Sequence, residues 1–128
     1  MCIRDRYNFL GIKPEQKFVS GVLKPGKYAL GMEFIRERTG DSGESYGKTT
    51  LYVNQEVAAQ GDMKTQFGKF TLAGDGLCVG RDSGDAVSED YKTPGEFKNG
   101  RIWGVGVTVE KAQYLDLEKL ASAAMAVD

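Results

Sequence analysis

From Lys27 to Arg36 apolar and polar positions alternate. Tyr28, Leu30, Met32 and Phe34 fall on one side of an extended chain, and Ala29, Gly31, Glu33 and Ile35 on the other. That period of two is the signature of a half-buried strand. Lys48–Asn54 repeats it, with Thr49, Leu51 and Val53 expected inward and Thr50 and Tyr52 outward. Asn54-Gln55 reads as a two-residue turn and Glu56–Gly61 as the returning strand, which together make a β-hairpin. Shorter apolar runs predict strands at Tyr7–Ile12, Phe18–Leu23 and Leu77–Arg81. A last strand is expected over Arg101–Glu110, with Trp103, Val105, Val107 and Val109 on one face. Gly104 and Gly106 on its other face suggest a close neighbour there.

Between these runs the chain is polar. Lys24-Pro25-Gly26-Lys27 reads as a type II turn, and Thr39–Gly47 as an exposed loop. Phe67, Phe70 and Leu72 would plug one end of the core. Asp82–Asn99 is a long loop, of the kind that is functional or packed by its own side chains. After Asp116, an N-cap candidate, the period changes. Leu117, Leu120, Ala121, Ala124 and Met125 follow helical spacing, so a C-terminal helix is expected within 111–128. Strands at intervals of roughly 8–12 residues plus one helix give a mainly β fold, an antiparallel β-sandwich or jelly roll over 7–110. A length of 128 residues suits one domain.

Charge and chemistry narrow the functions. The chain has 17 basic and 18 acidic residues, with no run of like charge, which argues against nucleic-acid binding. No apolar run reaches the roughly 18 residues of a membrane helix. Histidine is absent, so a Ser or Cys triad lacks its base. There is no phosphate-binding glycine loop and no Cys-x-x-Cys pair. Cys78, in an apolar stretch, reads as a buried structural thiol, and a bond to Cys2 is left open. The acidic loop 82–91 clusters oxygen ligands but does not match the EF-hand spacing; its Asp and Ser side chains suit Asx-type turns, with a structural calcium site the lesser alternative. Tyr46, Tyr52, Tyr91 and Trp103 are candidates for stacking on sugar rings, although Trp103 shares a face with three valines and is expected in the core.

Two segments carry a resemblance. Thr50–Ala58 resembles the hairpin of concanavalin A/laminin-G-like sandwiches. The run Val79-Gly80-Arg81-Asp82-Ser83-Gly84-Asp85-Ala86-Val87-Ser88-Glu89-Asp90-Tyr91, followed by Phe97, Gly100 and Ile102, resembles a stretch near the C-terminus of large bacterial arylsulfatases. The resemblance extends over residues 7–128. It implies a non-catalytic C-terminal accessory domain of a sulfuric ester hydrolase, packed on a catalytic domain upstream. That family hydrolyses sulfate esters with a formylglycine made in a C/S-x-P-x-R motif, beside a calcium ion. Here Ile12, Leu23 and Lys92 stand two residues before the prolines, so no position can become that nucleophile. No catalytic, cofactor or metal residue is therefore expected in this chain, and formylglycine and calcium would belong to the catalytic domain.

The expected partners are that domain and the edge of a sulfated substrate, contacted through Arg81, Asp82, Ser83, Asp85, Ser88, Asp90 and Tyr91. The alternative is a lectin-like carbohydrate-binding module. Met1–Arg6 resembles an adapter-derived peptide at the end of a translated metagenomic assembly. On that reading residues 1–6 stand outside the domain, the natural start lies upstream, and localisation stays open between bacterial cytoplasm and periplasm.

Overall fold

A computed structural model describes residues 2–9, 12–66, 77–84 and 86–110. The described residues are mainly β, in antiparallel sheets without a helix. Strands β1 (Cys2–Phe9) and β2 (Ile12–Val22) form one hairpin. Strands β3 (Leu30–Thr39), β4 (Ser45–Val53) and β5 (Glu56–Thr65) form a meander in the order β3-β4-β5. Two-residue strands β6 (Arg81–Asp82) and β7 (Gly95–Glu96) close the long loop.

The period-two pattern sets the faces of the meander. Met32 stands beside Leu51 and Phe34 beside Thr49, and the row continues to Ala59 and Gly61 on β5. Leu51 (1 % exposed) and Thr49 (0 %) are the centre of the core, closed by Met63, whose sulfur accepts a 3.2 Å hydrogen bond from Thr49 Oγ1. Thr50, expected outward, is buried as well, because Gln60 Nε2 reaches across to its hydroxyl at 2.9 Å.

The β1–β2 hairpin seats on β5. The Phe18 ring lies over Gly61, so close that a Cβ there would stand 2.8 Å from it. The Gln16 side-chain amide reads the free edge of β5 as a strand would: Nε2 donates to Lys64 O at 2.6 Å and Oε1 accepts from Lys64 N at 2.8 Å. The Tyr7 hydroxyl accepts from Gln66 N at 2.8 Å. These bonds satisfy backbone groups that an uncovered edge strand leaves bare.

The turn between β4 and β5 has positive φ at both central residues, Asn54 (50°) and Gln55 (73°), which makes it type I′. Asn54 tolerates that region and is doubly used, since Ala29 N donates to its Oδ1 at 2.9 Å and its own N–H donates to Ala29 O at 2.8 Å. Gln55 has no such compensation. Gln55→Gly is therefore expected to stabilise the chain by about 1 kcal/mol, read as a higher urea midpoint with unchanged slope. An unchanged or lower midpoint would count against the strain.

Several expectations are corrected. The loop between β3 and β4 is only residues 40–44, because pairing runs on through Thr39↔Ser45. β5 continues four residues past Gly61, to Thr65. Pro25-Gly26 is a bend without positive φ at Gly26, so it is not a type II turn. Strand Leu77–Arg81 shrinks to Arg81–Asp82, since residues 77–80 have no ladder partner among the described residues. Arg101–Glu110 pairs with no strand among the described residues, and its valines are exposed. Trp103, expected in the core, is 74 % exposed for the same reason: period two describes an extended chain, but burial needs a covering layer. Cys78 is half-buried and free. The expected helix, Phe67, Phe70, Leu72 and Asp85 lie outside the described residues. Residues 2–6, set aside from the domain on sequence grounds, belong to strand β1.

Candidate functional site

The hairpin has two working sides. Asp5 pairs with Phe18, and Tyr7 with Gln16, on the side that faces β5. Arg6 pairs with Lys17 on the opposite side, and there the 82–91 loop is seated. The loop's closure begins with Phe97 N donating to Gly80 O at 2.9 Å, where Gly80 has φ +75°. β6 and β7 then pair Arg81 with Glu96 and Asp82 with Gly95. Inside this frame Tyr91 is the hub. Its hydroxyl donates in a short hydrogen bond to Asp82 Oδ2 and accepts from Val87 N at 3.0 Å. Ser88 is buried and its Oγ accepts from Asp90 N at 3.2 Å, an ST-turn that aims Asp90 outward.

Asp90 makes the attachment. Arg6 Nη2 stands 2.8 Å and Nε 3.3 Å from Asp90 Oδ2, and Lys17 Nζ stands 3.2 Å from the same oxygen. Glu15 joins the cluster, with Oε2 3.6 Å from Lys17 Nζ and Oε1 3.7 Å from Arg6 Nε. Asn8 Nδ2 adds a 2.9 Å hydrogen bond to Val87 O. The Arg6 guanidinium, then the Lys17 ammonium, holds the Asp90 carboxyl below its ordinary range. Asp5, on the other side of the hairpin, moves the opposite way, because burial pushes its carboxyl up.

The two carboxylates therefore have opposite linkage signs. A depressed folded pKa contributes stability above the unfolded carboxylate pKa and loses it as pH falls through the folded value. Asp90 should thus hold the loop at neutral pH and release it in acid. Asp5 ionises at a cost to the fold, a cost that grows as pH rises through the carboxylate range. Amide exchange of 87–91 should accelerate on acidification after correction for intrinsic rates, and Asp90→Asn should remove most of that pH dependence. An unaltered pH profile in Asp90→Asn would exclude the ion pair as the clamp.

The seven loop residues named from sequence thus part company. Asp82, Ser88, Asp90 and Tyr91 are brought together, in the loop's own scaffold and its seat. Arg81 lies in the β6–β7 pair with its side chain exposed. Ser83 meets Cys78 Sγ at 3.9 Å. Among the described residues no group of three or more acidic or cysteine side chains could hold a metal ion. Arg6, Asn8 and Lys17 were missed. Their signal was the alternation of Arg6 and Asn8 about Tyr7, with Arg6 in the segment 1–6 set aside on sequence grounds and Asn8 in the expected strand Tyr7–Ile12.

A second feature lies at the other end of the loop. Val79, Gly80, Phe97, Gly100, Arg101, Ile102, Trp103 and Gly104 line an open cleft of about 410 Å3. The Arg101 guanidinium lies 4.5 Å and the Lys27 ammonium 5.6 Å from the Trp103 ring centroid. Of the other candidate aromatics, Tyr46 is covered by Arg38 at 3.6 Å, and the Tyr52 hydroxyl donates to Glu33 at 3.0 Å. Comparison of the chain with protein-family models, curated proteins and solved structures finds no match.

Proposed function

We propose that the chain is a non-catalytic accessory domain of the arylsulfatase type, a concanavalin A-like sandwich that packs against a catalytic domain. The observation that supports this is the use made of the 79–91 run, the segment that carries the resemblance. Several of its polar groups are used structurally: Asp82 by Tyr91, Ser88 by the Asp90 amide, Asp90 by Arg6 and Lys17. A segment that spends its side chains on loop closure and seating suits a scaffold.

The surface offered to a catalytic domain is then the 105–109 segment rather than the loop's centre. It is uncharged from Val105 to Val109, and its valines are exposed. An extended apolar segment of this kind suits burial by strand pairing or by a covering face. The 128-residue chain is expected to show no turnover of an aryl sulfate such as p-nitrocatechol sulfate, with or without calcium. Turnover by the pure chain would overturn the non-catalytic reading. The coding sequence upstream of this segment is expected to contain a C/S-x-P-x-R motif, and an upstream region lacking it would overturn the assignment to an arylsulfatase.

A further inference from the structure

We propose that the cleft at Trp103 binds an anionic saccharide, with the Trp103 ring as the platform and Arg101 and Lys27 as the charge complement. Trp103 presents a large apolar surface to solvent, 74 % exposed, which is the unusual form for that side chain. Phe97, also exposed, lines the same cleft, so two aromatic rings border one open depression. The flat C–H face of a pyranose ring stacks on such surfaces, while acidic peptides have no matching flat face.

The charge in the cleft has one sign. Arg101 is the charged residue of the lining, Lys27 stands over the same ring, and no acidic residue contributes to the lining. A guanidinium presents a planar fork of donors that matches a sulfate or carboxylate. Residues 101–104 line the cleft and make no strand ladder among the described residues. No Cβ occupies Gly104, and nothing stands within 4 Å of where one would be. The volume lies within the range of small-ligand sites. The site lies beside the proposed docking segment, yet it does not depend on the arylsulfatase reading.

Trp103 is the only tryptophan, so intrinsic fluorescence reports on this position alone. The 128-residue chain is titrated with a sulfated dextran oligosaccharide and with the unsulfated oligosaccharide of equal length. Saturable quenching is expected with the sulfated probe, and binding at least roughly tenfold weaker with the neutral one. By calorimetry, Trp103→Ala should weaken binding about tenfold with an unchanged circular dichroism spectrum, as expected for loss of one stacking platform. A Lys27→Gln/Arg101→Gln variant should bind more weakly and with a flatter salt dependence. Three outcomes would overturn the proposal: no saturable response to the sulfated probe, equal affinity for the neutral one, or binding of the sulfated probe that survives Trp103→Ala unchanged. Polyglutamate binding as tight as the sulfated probe would also overturn it, by reducing the site to bare charge. Sulfatase turnover or an unrelated upstream gene would leave this result standing, because the titration reads binding on this chain alone.

Discussion

Gly47→Ala is expected to destabilise the chain more than any other glycine-to-alanine change in the meander. Gly47 lies on the central strand β4, opposite Arg36, where pairing skips from Arg36 to Arg38 and leaves Glu37 as the extra residue of a bulge. The bulge brings the β3 backbone down onto position 47. A Cβ there would run into the Ile35 carbonyl oxygen and would stand 2.9 Å from both Arg36 Cα and Ile35 C. All three obstacles are backbone atoms, so no rotamer change relieves them. Either the bulge shifts or β3 lifts off, and both loosen the row that buries Thr49 and Leu51. Overpacking of this kind costs at the upper end of its usual range, about 3 kcal/mol, a large part of the roughly 5–15 kcal/mol that holds a domain together. Gly31→Ala is the matched control. Its Cβ would meet only the Tyr52 side chain, at 3.6 and 3.8 Å, which is ordinary contact. That change should be neutral or stabilising by up to about 1 kcal/mol, since glycine is costly in strands. Urea unfolding of the two variants decides it: similar midpoints would mean that β3 accommodates the methyl group, and the close approach would then have no structural consequence.

The meander was legible in its pairing, and in burial chiefly at the central strand β4, since Leu30, Met32 and Ile35 of β3 are about half exposed. Leu51 and Thr49 are buried and alternate with the half-buried Tyr52 and Lys48, as expected. Thr50 broke the rule because a cross-strand amide covered it, which no periodicity encodes. Arg101–Glu110 failed for a different reason. Its alternation is as clean as that of β3, but a ladder needs a second edge, and the sequence does not say where that edge lies. The loop shows the third case. Its residue types announced turns, and Asp82, Ser88 and Asp90 do make turn and closure bonds. The seat on Arg6, Asn8 and Lys17 spans more than seventy positions, and a single sequence contains no signal that links Asp90 to Arg6.

Tyr91→Phe is expected to release the loop without unfolding the sheet. The ring would stay, packed near Gly95 and 6.0 Å from the Arg6 guanidinium, so volume and most contacts are conserved. What goes is one oxygen with two partners: Val87 N loses its acceptor and Asp82 loses its donor. Leaving half-buried partners unmatched costs about 1–3 kcal/mol, far more than the hydrogen bond's net worth when both groups can turn to water. The change should appear as faster amide exchange at Val87 and across 82–91, with β4 amides as protected as before. Tyr52→Phe supplies the comparison, because its hydroxyl meets Glu33 on the open face and its loss should shift stability by less than about 0.5 kcal/mol. The pH response separates the hub from the clamp. Burial, then the bond to Asp82, raises the Tyr91 phenol above its ordinary range. A raised pKa contributes stability below the unfolded value and loses it as pH rises through the folded one, so Tyr91 governs the alkaline limb of loop protection. Asp90, held low by Arg6 and Lys17, governs the acid limb. Loop protection should therefore form a plateau across neutral pH. Tyr91→Phe should lower the plateau and abolish its alkaline limb, while Asp90→Asn removes the acid one. If both variants lost both limbs together, the loop would open as a single unit with the hairpin, and the seat on Arg6 and Lys17 could not be separated from the closure at Asp82.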